Sequence, residues 1–343
     1  MAQVSRFLIV RLGALGDVVH AIPVAAALRR AFPTARIDWL VGEKHREVLD
    51  LVPVIDRRLA IGEGAALVGA IRELRRSRYD VVLDLQGLLK SALLARTSGA
   101  PRVVGFASSY LRERLARPFY TDVYDPGCRG IYDPNESRHV VQINLGLLEP
   151  IGVTAVKPEF PIERVDSDVA KQISERSKGR YALLNPGAAW PNKRWPPQRF
   201  GALAAALRER YGLASVALWG PGEEGLAQAV ADASDKAAFL APPTSVADLV
   251  ALARGAALMV SGDTGPTHLA AAVGTPLVGI YGPTRPSRNG PLGAAGVAVS
   301  RVAVCQCHHL RRCSLETMCL MDVQVEEVLS AAERVIAAEP RRV

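Results

Sequence analysis

Short apolar runs of about five residues, each followed by a turn and then by a helical period, recur through this chain and are what most constrain its fold. Residues 7–11, 36–41, 57–61, 79–85 and 102–105 read as strands, because each is short, rich in Val, Ile and Leu, and bounded by polar or glycine-containing segments. Between them, residues 17–31, 65–78 and 88–96 carry apolar positions at helical spacing, such as Val18, Ile22, Ala25 and Leu28. Strand and helix alternating in this way build a parallel sheet covered by helices on both faces.

The cycle starts again after residues 149–164, where Pro150, Pro158 and Pro161 mark a linker following a helix at 137–148. Strands at 182–185, 215–219, 256–260 and 277–281 alternate with helices at 197–211, 222–233 and 246–254. The chain loosens after Gly290 and closes with a helix at about 323–338. The expected class is α/β, with two doubly wound Rossmann-like domains, residues 1–160 and 161–320, facing across a cleft, and a C-terminal segment 321–343. In open sheets of this kind ligands bind beyond the carboxyl ends of the strands.

A length of 343 residues suits two such domains, and 49% hydrophobic with 22% charged residues excludes a disordered or fibrous chain. The formal net charge of +8 favours an anionic partner. Nucleic acid is disfavoured, because aromatic residues make up 6% and none interleave with a basic run. The N-terminus lacks the pattern of a signal peptide, and the apolar stretch 246–260 is interrupted by Asp248 and Arg254, so a cytoplasmic protein, peripheral to a membrane at most, is expected.

Chemistry is concentrated at three loops. In SGDTGPTHLAAAVGTPLVGIYGPT, residues 261–284, a strand ends in Ser-Gly, Asp263 or Thr264 caps a helix, and Pro266 occupies its first turn. Such an element is either an ordinary capped helix or a diphosphate site on free N–H groups. The loop NPGAAWPNKRW, residues 185–195, has small residues that let backbone approach phosphate, and Lys193 or Arg194 to neutralise a leaving diphosphate. The alternative is a solvated basic pair. After Trp219, Glu223 and Glu224 either hydrogen-bond ribose hydroxyls or complement a helix dipole.

In the first half, Gly13-Ala14-Leu15-Gly16-Asp17 is a glycine turn whose acid serves either as a helix cap or as a base for an acceptor hydroxyl. It offers G-x-x-G and not the G-x-G-x-x-G of a dinucleotide site, although Glu43 lies where a ribose-binding acid would stand. Arg112, Arg114 and Arg117 form either a solvated helix face or a site for an anionic acceptor, to which Gly13 and Lys44 are added. Cys305, Cys307, Cys313 and Cys319, with His308 and His309, lie close in sequence, and Cys128 stands apart. Their spacing is not that of a standard zinc site, so reduced surface cysteines are expected ahead of a structural metal.

Taken together, LIVRLGALGDVVHAIPVAAALR, YDVVLDLQGLLKSAL, LLNPGAAWPNKRWPPQRF, ALWGPGEEG and SGDTGPTHLAAAVGTPLVGIYGPTRP resemble, in this order, the bacterial lipopolysaccharide heptosyltransferases of glycosyltransferase family 9. IDWLVGE and LQGLLKSA look closest to heptosyltransferase I, and the cysteine cluster is similar to that of heptosyltransferase II and other members. The resemblance implies a GT-B fold, with an acceptor domain, then a nucleotide-sugar domain and a final helix that often crosses back to the first. It implies inverting transfer of heptose from ADP-heptose to the Kdo/heptose inner core of a lipid A type acceptor at the inner membrane, without a metal or other cofactor. Asp17 matches the general base, and Lys193 the donor-phosphate lysine. Asp263, Thr264, Gly265, Thr267 and His268 fall in the donor-binding turn, Glu224 or Glu223 matches the ribose acid, and Gly187, Ala188 and Ala189 the phosphate loop. Ala188 and Ala189 lack the hydroxyls that some members carry there. The other readings are a nucleotide-dependent oxidoreductase and a non-catalytic binder of anionic glycolipid.

Overall fold

The computed structural model describes residues 4–338 apart from 63–64, 128–129, 132, 134–135, 293–295, 309 and 314–317, and is silent on the side chains of 65 and 66. Cys128 and His309 therefore lie outside the described residues. The chain divides into two compact units, Met1–Glu163 and Arg164–Val343.

In the first unit, β1 (Arg6–Val10), α1 (Leu15–Ala31), β2 (Arg36–Gly42), α2 (Glu47–Asp50), β3 (Arg57–Ile61), α3 (Ala65–Ser77), β4 (Val81–Asp84), α4 (Leu89–Thr97), β5 (Arg102–Phe106), β6 (Asp122–Tyr124) and α5 (Val140–Gly146) follow in turn. The strands form a parallel sheet in the order β3-β2-β1-β4-β5-β6. The order reverses at β1, so the turn after β1 opens at the switch point where such sheets bind ligands. β1 lies at the centre with Phe7 to Val10 fully buried, which is why its sequence runs apolar without alternation.

The second unit repeats the plan with α6 (Asp168–Arg176), β7 (Tyr181–Asn185), α7 (Pro197–Tyr211), β8 (Ala214–Ala217), α8 (Glu224–Asp232), β9 (Ala238–Leu240), α9 (Val246–Gly255), β10 (Leu258–Gly262), α10 (Gly265–Ala272), β11 (Leu277–Tyr281), α11 (Pro286–Asn289), β12 (Gly296–Ser300) and α12 (Val325–Ala338). Its parallel sheet runs β12-β11-β10-β7-β8-β9, with β7 and β10 side by side at the reversal. That neighbourhood brings the loops after Asn185 and after Gly262 together, although they are far apart in sequence.

One expectation is corrected. The chain does not loosen throughout after Gly290, because β12 pairs in register with β11 from Leu277↔Gly296 to Tyr281↔Ser300. The final helix buries Val328, Leu329, Ala332 and Val335 in the core of the second unit, against α7, β10, β11 and β12. Trp195 Nε1 donates to Val323 O at 3.0 Å, and Arg199 also donates to that carbonyl, so the approach to α12 is tied to the start of α7. No described helix is long and apolar enough to cross a membrane.

Candidate active site

In the first unit the glycine turn leads from β1 into α1, and Ala14, not Asp17, occupies the cap position. Asp17 stands in the first helical turn, where its Oδ2 accepts from the Ala14 N–H at 3.2 Å. Its Oδ1 lies 2.8 Å from Arg11 Nη2, with the carboxylate about a third exposed at 35% and the guanidinium largely buried at 11%. Arg11 is fixed in turn, because it also donates to the Leu85 carbonyl and its own carbonyl accepts from Trp39 Nε1 at 3.2 Å. Burial pushes the Asp17 carboxyl up, but the Arg11 pair and the more distant Arg112 outweigh it and hold the group below the usual carboxylate range. The result is an ionised acid, open to solvent on one side.

Gly13 is required by close approach: a Cβ there would lie 2.4 Å from Cδ2 of His45. His45 ends a short 3-10 turn, Glu43–His45, that also carries exposed Lys44. Burial depresses the His45 pKa, only partly offset by the charge of Asp17, so the ring is neutral at pH 7. Of the three candidate arginines, Arg112 acts electrostatically on Asp17, Arg114 is exposed at the start of the 3-10 segment Arg114–Phe119, and Arg117 donates to Tyr120 O at 3.4 Å. The expected regular helix face is thus an extended stretch and a 3-10 turn, and only Arg112 is tied to Asp17.

In the second unit, β10 ends at Gly262, Thr264 takes the cap position, and Pro266 lies in the first turn of α10. Asp263 is 6% exposed and bonded on both oxygens, to Lys193 Nζ at 2.6 Å and His268 Nε2 at 2.9 Å. Burial alone would raise its pKa, but the His268 hydrogen bond and the Lys193 charge hold it far below the ordinary value. The ammonium of Lys193 also lies 4.6 Å from the centre of the Trp190 ring. Lys193 is held at a defined place, with its charge already compensated.

The hydroxyls of this turn are spent internally. Thr267 donates to Gly262 O at 2.6 Å, and Asn185 Nδ2 bridges Ser261 Oγ at 2.9 Å and Thr264 Oγ1 at 3.0 Å. Side-chain contact from Thr264 or Thr267 would break this network, so backbone N–H groups of the first turn, such as that of Gly265, are the better phosphate donors. The loop after β7 carries Gly187, Ala188 and Ala189, with Arg194 Nε donating to Ala188 O at 2.9 Å. Glu223 lies over it: a Cβ on Gly187 would stand 2.1 Å from Glu223 Oε2, and Arg194 is 3.7 Å from Oε1. Glu224 instead begins α8 and is exposed. The two glutamates that the sequence leaves equivalent are thus distinguished.

Cys305, Cys307 and Cys319 are buried together with Cys313 beside them, and all four are free thiols. They are not the surface cysteines that the sequence suggests. Among the described residues no group of three or more His, Cys, Asp or Glu side chains is arranged to hold a metal ion. Arg11, His45, Asn185 and Asn192 escaped the sequence reading. Only Asn185 and Asn192 carried a local signal, as polar residues inside the glycine-proline loop already singled out.

A profile of glycosyltransferase family 9 (heptosyltransferase) matches residues 68–318. Lipopolysaccharide heptosyltransferase 1 of Pseudomonas aeruginosa is 32% identical over 311 residues, covering 85% of this chain and 82% of its own. The Escherichia coli protein of the same name is 29% identical over 84% of this chain and 91% of its own. Among solved structures, a family 9 glycosyltransferase from Veillonella parvula superposes with a TM-score of 0.81 at 24% identity, over 98% of each chain. E. coli heptosyltransferase WaaC with ADP gives 0.75 at 24% identity, over 96% of this chain and 99% of its own, so the fold is of the GT-B type. The chain belongs to glycosyltransferase family 9, the heptosyltransferase family.

Proposed function

We propose that this protein transfers heptose from ADP-heptose to a hydroxyl of a Kdo-containing lipid A type acceptor, with inversion at the anomeric carbon. The observation that carries this reading is the Lys193–Asp263–His268 set beside the glycine loop and the start of α10. The names of its relatives support the heptosyl donor and the lipopolysaccharide acceptor.

In this reading the diphosphate lies along Gly187 to Ala189 and the first turn of α10, and Glu223 takes a ribose hydroxyl. Lys193 turns from Asp263 towards the phosphates as charge develops on the leaving ADP, the step at which fixed positive charge lowers the barrier most. Asp17 removes the acceptor proton as that oxygen attacks, and Arg11 holds the carboxylate in place. Gly13, Lys44, Arg112, Arg114 and Arg117 serve the anionic acceptor, and neutral His45 is added as a contact. A lysine and a helix terminus supply the positive charge at the diphosphate, so no metal is needed. The domain roles follow, with acceptor on the first unit and donor on the second.

Peripheral binding to an anionic membrane completes the reading. It is supported by Arg72, Arg76 and Arg78 at α3 and by Lys90 and Arg96 on α4, all exposed, with apolar Val68 and Leu93 among them. The acids of this stretch are engaged elsewhere, Glu73 with Arg57, Asp80 with Ser5 and Arg6, and Asp84 with Ser91 and Tyr120. The outward charge is therefore positive.

The test is an ADP-release assay with ADP-heptose against a small panel of acceptors, beside a titration with NADH. Acceptor-dependent release of ADP is expected. Binding of NADH without ADP release would favour the oxidoreductase, and acceptor binding without turnover would favour the glycolipid binder.

A further inference from the structure

The cysteine cluster plays no part in the proposed chemistry, yet it is joined to the loop that carries Lys193. Asn192, 1% exposed, is the middle residue of the 3-10 turn Pro191–Lys193. Its Nδ2 donates to Leu310 O at 3.0 Å and to Cys307 Sγ at 3.3 Å. The Leu310 N–H closes back on Cys307 O at 3.1 Å, so both acceptors belong to one turn of the cysteine loop. Cys307 Sγ lies 3.5 Å from Cys305 Sγ, and the buried sulfurs form an apolar cluster of their own. The Nδ2 end of this buried amide is held by the partners that satisfy it, and both lie on that loop, whereas its Oδ1 is buried without a hydrogen-bond partner among the described residues.

From the other side Lys193 is held by β10. A Cβ on Gly262 would stand 2.8 Å from the Lys193 carbonyl oxygen, and the ammonium meets Asp263 at 2.6 Å. The lysine is thus clamped between the end of β10 and, through its neighbour, the cysteine loop.

We propose that the segment carrying Cys305, Cys307 and Leu310 is a buttress of the donor-phosphate loop, and that Asn192 is the positioning residue through which it sets Lys193. The proposal rests on the reading of Lys193 as the lysine that meets the donor diphosphate. Neither Asn192 nor a cysteine touches substrate in it. Loss of the Asn192 bonds leaves the lysine present but less well placed, so affinity for ADP and stabilisation of the leaving diphosphate fall while the base chemistry at Asp17 is untouched.

The test is calorimetric titration with ADP, donor KM and kcat by ADP release, and thermal melting of five variants. Asn192→Ala is expected to weaken ADP binding and lower kcat, each by on the order of 10-fold, with a smaller change in the donor KM. Cys307→Ser, which keeps an acceptor, should bind ADP within about 3-fold of the parent, and Cys307→Val, which removes the sulfur acceptor but leaves the Leu310 carbonyl, should weaken ADP binding in the same direction as Asn192→Ala but by less. The double variant Asn192→Ala, Cys307→Val should bind ADP no more weakly than Asn192→Ala, because removing Asn192 already removes the bond to Cys307. Wild-type ADP affinity in Asn192→Ala with a lowered melting temperature would reduce Asn192 to a stability role and overturn the proposal, as would additive losses in the double variant. If Asn192→Ala does not fold, the two Cys307 variants carry the same comparison with Asn192 in place. Unchanged ADP affinity in Lys193→Met would overturn the donor-site reading and this proposal together, whereas altered Lys193→Met beside unaltered Asn192→Ala overturns the proposal alone.

Discussion

At the scale of single residues, the central features are two carboxylates kept ionised by different partners. Asp17 is pushed up by burial and pulled down further by Arg11, with Arg112 adding to the pull. Its basic form is therefore present throughout the neutral range, and protonation removes it only below the ordinary carboxylate pKa of about 3.9. Replacing Asp17 by Ala should lower turnover by roughly 100- to 10,000-fold while leaving ADP affinity intact. Near-normal turnover would remove Asp17 from the role of base. Arg11→Met takes away the larger lowering influence, so the acid limb of kcat/KM is expected at higher pH than in the parent, read from a pH–rate profile. An unmoved limb would show that Arg11 does not set the base. Asp263 follows the same sign more strongly, since its folded pKa is depressed by His268 and Lys193 in spite of burial. Its contribution to stability is full above the unfolded carboxylate pKa and is lost as pH falls towards the folded value. Lys193→Met strips one partner from a buried charge and should cost about 3–5 kcal/mol, measured by denaturant unfolding at pH 7. It should also move the onset of acid unfolding to higher pH.

At the scale of elements, the strands at the centre of each sheet were legible because they are short, wholly apolar runs such as Phe7 to Val10 and Leu258 to Val260. The ones the sequence reading missed are edge strands. β6 and β9 are three residues long and β12 is partly exposed, too short or too mixed for a period-two pattern to stand out. The helix α6, capped by Ser167, was hidden beyond a proline-rich linker. The candidate site was legible where glycine and a charged residue meet at a strand end, as at Gly13, Gly187 and Asp263. It was not legible where parallel pairing brings distant segments together: β10 beside β7 places Lys193 on Asp263, and β1 beside β2 places Trp39 on Arg11. The terminal helix is an element of the second core, with Leu329 buried at 4%. Leu329→Ala should therefore lower stability by about 2–5 kcal/mol in thermal or denaturant melts. A loss below about 0.5 kcal/mol, the size of a surface change, would mean that α12 is not part of that core.

At the scale of the whole molecule, the chain is two parallel-sheet units that repeat one topology and carry different chemistry at the turns beyond their strand ends. The first presents an ionised acid among arginines, and the second a buried lysine–aspartate–histidine set at a helix start. An acid to take a proton and a cation to take a diphosphate are the two requirements of metal-free glycosyl transfer, and the formal charge of +8 suits an anionic donor and an anionic acceptor surface. The most direct measurement is the mass of a Kdo-lipid A type acceptor after incubation with ADP-heptose and chelator. A gain of one heptose residue, matched by stoichiometric ADP and undiminished by the chelator, is the expected result. An acceptor of unchanged mass, or transfer that requires an added divalent cation, would contradict the account.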